Sequence, residues 1–158
     1  MNAIHYLKGD ATSPKASGRK LIVHICNDMG GWGKGFVLAI SKRWPEPEEH
    51  YRKWHRERNR NDFALGSVQF VQCESYIWVA NLIGQHGMKA GSDGPPIRYD
   101  AVETGLAKIA AKAAEIKASV HMPRIGCGLA GGKWEKIEPL IEQTLLAAGI
   151  DTYVYDFG

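Results

Sequence analysis

A chain of 158 residues with a net charge of +3 and 44% hydrophobic residues is long enough for one domain with a full core, and its composition excludes disorder or low complexity. The charge is too mild to make nucleic acid the default partner, and the apolar runs are strand-length, too short to cross a bilayer. Three cysteines, Cys26, Cys73 and Cys127, form an odd set without close pairing, so no disulfide framework, metal centre or cofactor is expected; with no leader at the N-terminus, the cytoplasm is the expected compartment.

Apolar alternation predicts a first strand over Ile4 to Leu7, followed by Lys8-Gly9-Asp10-Ala11-Thr12, and a second over Leu21 to Cys26. A glycine loop, Asn27 to Gly35, leads into a short helix, Gly35 to Arg43, with Phe36, Leu38, Ala39 and Ile40 facing the core. Glu46 to Arg60 reads as a charged, solvent-facing helix. The basic residues from Lys42 to Arg60 are interleaved with Trp44, Tyr51 and Trp54, a pattern that suits nucleic acid, but nearby acidic residues offset the charge, and aromatics packed on the domain are the preferred reading.

Strands are predicted over Ser67 to Cys73 and Ile77 to Ile83, and the glycine- and proline-rich segment Gly84 to Ile97 has the length of a functional loop. The alanine-rich run Asp100 to Lys117 predicts an amphipathic helix with a capping carboxylate near its start. A strand over Ser119 to Pro123 precedes a second glycine loop and a helix from Lys133 or Trp134 to Ala147, which Gly149 ends before a last strand, Thr152 to Tyr155. Strands alternating with helices imply an α/β sandwich whose ligand loops lie at the carboxyl ends of its strands.

The second glycine loop is the most informative segment. Gly126, Gly128, Gly131 and Gly132 let the backbone approach a ligand closely, and the following helix is expected to turn its unpaired amides and positive dipole end toward the same place. A phosphate or pyrophosphate is the ligand implied, gripped jointly with the first glycine loop. Near these loops, His24 and His86 are the side chains that titrate closest to neutrality. Each has a plainer reading, His24 as a hydrogen-bonded strand residue and His86 as a solvated loop residue. Asp28 either orients a water or stabilises its turn. Cys127, between two glycines, is either a thiol of lowered pKa or a small packing residue, and its pairing with His121 is too loose for Cys-His catalysis.

Taken together, Lys8 to Thr12, the loop Asn27 to Gly35, Met122-Pro123-Arg124-Ile125-Gly126-Cys127-Gly128-Leu129 before a tryptophan-bearing helix, and Val154-Tyr155-Asp156 resemble a macrodomain over nearly the whole chain. The similarity is greatest to the group holding the terminal ADP-ribose glycohydrolase and the ADP-ribose-1″-phosphate phosphatases. His24-x-Cys26-Asn27, Gly31-Trp32-Gly33-x-Gly35 and Trp44-Pro45-x-Pro47-Glu48-x-x-Tyr51 lean toward the phosphatases.

The resemblance implies a single domain over residues 1–158, a three-layer α/β/α fold around a mixed, mostly parallel sheet, acting as a monomer. It implies adenine recognition by Asp10 and Ala11 with Tyr155 packed on the ring. It further implies a pyrophosphate and distal ribose held by Asn27, Gly31, Trp32, Gly33 and Gly35 facing Gly126, Cys127, Gly128, Leu129, Ala130 and Gly131. The leading functional expectation is hydrolysis of a group, foremost phosphate, from the distal ribose of ADP-ribose, with Asn27, Gln85 and His86 as candidate catalytic side chains. The alternatives are a non-catalytic reader of ADP-ribose and a hydrolase of ADP-ribosylated protein or nucleic acid. The glycohydrolase's lysine and aspartate correspond to Gln85 and Ala130 here, which argues against a lysine-adduct route; Lys89 is the nearest substitute lysine.

Overall fold

The computed structural model describes residues 3–88 and 94–157. Lys89 and Gly91 of the long loop therefore lie outside the described residues. In chain order the elements are β1 (His5–Lys8), β2 (Lys20–Asn27), α1 (Phe36–Arg43), α2 (Glu46–Arg56), β3 (Val68–Glu74), β4 (Ile77–Gln85), α3 (Tyr99–Ile116), β5 (Ser119–Pro123), α4 (Trp134–Ile141) and β6 (Thr152–Asp156). The sheet runs β1-β6-β5-β2-β4-β3. Every neighbouring pair is parallel except β3 with β4, so the carboxyl ends of β1, β2, β4, β5 and β6 share one edge.

The near-continuous apolar character of β2 follows from burial on both faces. Its alternate residues Leu21 and Val23 join the core under α3 and α4, whereas Ile22 and Cys26 join the second core with Ile40, Tyr51 and Trp54 of α1 and α2. The result is a three-layer α/β/α sandwich around a mixed, mostly parallel sheet, as expected. No helix among the described residues is long and apolar enough to cross a membrane.

Gly105, in the middle of α3, shows how closely that layer approaches. A Cβ there would overlap the Leu82 side chain on β4, which is itself fully buried. Gly105→Ala should therefore destabilise the protein by about 1–3 kcal/mol, despite the better helix propensity of alanine. Chemical denaturation checks this; a stabilised variant would mean that Leu82 repacks freely.

Helix ends depart from the expected ones for local reasons. The charged helix stops at Arg56 and a 3₁₀ turn covers Arg58–Arg60, because the Asn61 side-chain amide donates to the Trp54 carbonyl at 2.9 Å and meets one of the helix's orphan acceptors. Tyr51 and Trp54 are buried, so these aromatics pack on the domain and are closed to stacking on bases. Asp100 lies inside the first turn of α3, where its carboxylate accepts from the Ala101 amide at 2.9 Å, and Arg98 occupies the cap position without a side-chain cap. After Ile141 the last helix widens into a π turn, Glu142–Leu146, in which the Thr144 hydroxyl donates to the Leu140 carbonyl at 2.7 Å. Gly149, at φ +74°, ends it as expected.

Candidate functional site

Both glycine loops emerge on the shared carboxyl edge and enclose a groove of two joined lobes, of about 290 and 390 Å³. Ile25, Lys34, Val37, Gln85 and Leu129 line both. Gly35, Arg124, Gly126, Gly128 and Ala130 complete the smaller lobe, and Asn27, Gly31, Trp32, Gly33 and Met88 the larger. A third cavity, of about 620 Å³, is bounded by Gly9, Asp10, Lys15, Arg43, Tyr153 and Tyr155. Pro123, in the smaller lobe, is the register partner of Tyr155, so the three spaces follow one another along the edge.

The first loop holds itself rigid. Asn27 is only 8% exposed. Its carboxamide oxygen accepts from the amides of Met29 (2.9 Å) and Gly31 (3.0 Å), and its nitrogen donates to the Gly31 carbonyl at 2.9 Å. The Tyr51 hydroxyl donates to the Asn27 carbonyl at 2.6 Å and accepts from the Gly30 amide at 3.1 Å. The amides of residues 29–31 are therefore already paired. In the second loop, Gly131 donates to the Gly128 carbonyl at 3.0 Å and Gly132 to the Gly126 carbonyl at 2.7 Å.

What remains is narrower than the sequence implies. The amides of Gly33, Lys34 and Gly35 on one side, and of Gly128, Leu129 and Ala130 on the other, have no partner among the described residues, and all six residues line the groove. A helix N-terminus adds to the first set, but it belongs to α1: Gly35, Phe36 and Val37 line the smaller lobe and no residue of α4 does. The dipole expected from the last helix is displaced because the second loop closes on itself and the Lys133 amide donates to the Tyr99 hydroxyl at 3.0 Å. Among the described lining residues, Lys34 and Arg124 carry charge and no carboxylate is present. The arrangement suits an extended dianion.

At the other end, the Asp10 carboxylate accepts from the Thr12 amide (2.8 Å) and hydroxyl (2.7 Å) and faces the Arg43 guanidinium at 3.4 Å. Burial alone would raise the Asp10 carboxyl, but the Thr12 and Arg43 bonds outweigh it and hold the group below the usual carboxylate range. Ala11 is buried beneath this turn. The Tyr155 hydroxyl meets His121 Nδ1 at 2.8 Å, and His121 Nε2 meets the Ser119 hydroxyl at 2.7 Å.

Several side chains singled out in the sequence take other roles. Trp32 is 2% exposed; its indole donates to Ser41 Oγ at 2.7 Å and packs on His24 and Tyr51. His24 sits in mid-strand, bonded through Nε2 to Asn81 Oδ1 at 2.5 Å, and burial drives its pKa down to about 4. Burial also pushes the Cys127 thiol up, with Arg124 offsetting part of the rise, so the lowered pKa expected beside a helix N-terminus is not found. The Gln85 side chain lines both lobes and donates to the Gly87 carbonyl at 2.9 Å. His86, 62% exposed at its side chain, is turned to Asp28 and lines neither lobe. No cluster of metal-binding side chains occurs among the described residues.

No family model matches the chain. The chain is, however, 60% identical to a macrodomain protein from Streptomyces coelicolor of solved structure, covering 99% of this chain and 100% of that one with a TM-score of 0.90. The chain belongs to the macrodomain family. This macrodomain is also 34% identical, over 98% of its length, to Chromodomain-helicase-DNA-binding protein 1-like from Mus musculus, and spans only 18% of that protein. It is 22% identical to the ADP-ribose 1″-phosphate phosphatase of Meyerozyma guilliermondii, covering 90% of the macrodomain and 94% of the phosphatase. Lys34 in the groove and Arg43 beside Asp10 received no role from the sequence, and Thr12 and Tyr51 stood there only as parts of motifs, without the hydrogen bonds they make. Lys34, flanked by glycines in the first loop, carried a local signal; the Arg43 contact did not.

Proposed function

We propose that this macrodomain binds ADP-ribose, with adenine at Asp10 and Tyr155, the pyrophosphate between the two runs of unpaired amides, and the distal ribose in the larger lobe. The observation that carries the reading is the pair of facing amide runs, 33–35 and 128–130, beside Lys34 and the α1 N-terminus. ADP-ribose attached to a macromolecule offers the same adenosine and pyrophosphate, so the reading extends to it. Titration calorimetry should give one ADP-ribose per chain and weaker binding of AMP, which supplies a single phosphate to two amide runs; equal affinities for the two would defeat the assignment.

A second reading is removal of the 1″ phosphate from ADP-ribose-1″-phosphate, favoured by similarity to a phosphatase over most of both chains. On this reading Asn27 acts by holding the first loop in shape, Gln85 orients the ribose and a water, and the chemistry rests on positioning. Phosphate release measured with the purified protein tests it. Tight binding without release would leave binding as the activity.

A further inference from the structure

Two walls of the larger lobe are tied together by a side chain that does not enter it. Asp28, in the first glycine loop, faces His86 Nδ1 through one carboxylate oxygen at 2.7 Å and accepts from the Gly87 amide through the other at 2.8 Å. The same two segments exchange methionines. A Cβ on Gly31 would lie 2.5 Å from Met88 Sδ, and one on Gly87 would lie 3.6 Å from Met29 Sδ. Each methionine therefore rests on a glycine of the facing segment. Met29 and Met88 nevertheless keep more than half of their surface in solvent, so the apolar part of this contact is thin and the polar part carries its geometry.

We propose that Asp28 and His86 form a clasp that holds the first glycine loop against the end of β4 and so sets the shape of the larger lobe, with His86 a positioning residue. The assignment rests on the reading of the groove as an ADP-ribose site. Asn27 and Tyr51 stiffen the first loop internally, but among the described residues only Asp28 joins it by a side-chain hydrogen bond to the 85–88 segment, which contributes Gln85 and Met88 to the lobe. His86 thus acts on the ligand through Asp28 and the loop.

His86→Asn separates this role from acid–base chemistry. An asparagine nitrogen stands the same number of bonds from Cβ as Nδ1, so it can donate to Asp28, yet it cannot exchange a proton with substrate near neutrality. With the full-length protein, His86→Ala and Asp28→Ala should each weaken ADP-ribose binding about three- to tenfold, as suits a partly exposed pair. His86→Asn should restore most of the loss. The double alanine variant should bind no more weakly than the weaker single one.

Amide hydrogen exchange on the unliganded protein reads the clasp without the ligand. Exchange at Gly87 and over residues 28–33 should accelerate in Asp28→Ala and His86→Ala while α3 is unchanged. If wild type fails to bind ADP-ribose but exchange responds in this way, the clasp stands and the ligand assignment falls. Unaltered exchange, fully additive losses, or a His86→Asn variant as impaired as His86→Ala would overturn the clasp.

Discussion

Gly128→Glu is expected to reduce ADP-ribose affinity by at least about a hundredfold while leaving the fold intact, because it sets a carboxylate against a bound pyrophosphate. The position allows a clean test. A Cβ at Gly128 meets no atom within 4 Å, the residue does not need a left-handed backbone, and it lines the smaller lobe beside two unpaired amides. Gly128→Ala should accordingly bind within about threefold of wild type, since the methyl group blocks no protein contact. Gly132, four residues on, obeys the opposite rule. A Cβ there would strike the Gly126 carbonyl that its own amide bonds at 2.7 Å, so Gly132→Ala should lower thermal stability and binding together. Calorimetry with thermal unfolding distinguishes these cases. Wild-type affinity in Gly128→Glu would remove the second loop from the ligand site.

Acid should unfold this protein earlier than its carboxylates alone require. His24 and His121 are both buried, and burial drives each pKa down to about 4, the Lys20 charge adding to the effect at His121. In the unfolded chain each imidazole takes up a proton near its ordinary value of about 6.5, whereas the folded state resists it, so the unfolded state binds more protons as pH falls. The stability contributed is complete above about pH 6.5 and is lost between there and about pH 4, about 3 kcal/mol for each histidine.

Structure explains the resistance at His24. Nε2 donates to Asn81 Oδ1, whose amide nitrogen is held by the Pro47 carbonyl (3.1 Å) and Gln69 (3.0 Å), while among the described residues Nδ1 has no hydrogen-bond partner but the Cys26 sulfur at 4.0 Å, a poor acceptor for a second proton. Urea unfolding at intervals from pH 7.5 to 4.5 measures the slope, and His121→Gln should reduce it by about one proton. A slope unchanged in that variant would show that His121 does not drive the loss. Protonation at His121 also reaches the candidate ligand end, since its Nδ1 holds the Tyr155 hydroxyl.

Much of this architecture is legible in one dimension, and the reason is periodicity. Adjacent residues on β2 must enter opposite cores and residues two apart the same one, and apolar residues along α3 must face one way, so strand, helix and layer are written in local spacing. Glycines at strand ends similarly mark where the backbone must turn, and parallel order brings those turns to one edge. Pairings between distant side chains have no such signature. Tyr51 locks Asn27 across 24 positions, Arg43 meets Asp10 across 33 and His86 meets Asp28 across 58. Each depends on sheet order and helix placement, to which neighbouring residues are blind.

The α/β class, the order of elements and the two glycine-rich turns suited to an anion are all readable from the chain alone, because backbone freedom and hydrophobic period are local properties. Packing sets the rest: which amides of those turns stay unpaired among the described residues, that α1 and not α4 points its N-terminus into the groove, and that the side chains of Asn27, Trp32 and His24 are committed to the protein itself. A hydrogen-bond donor is available to a ligand only if no nearer acceptor has claimed it, and that competition is settled by packing in three dimensions.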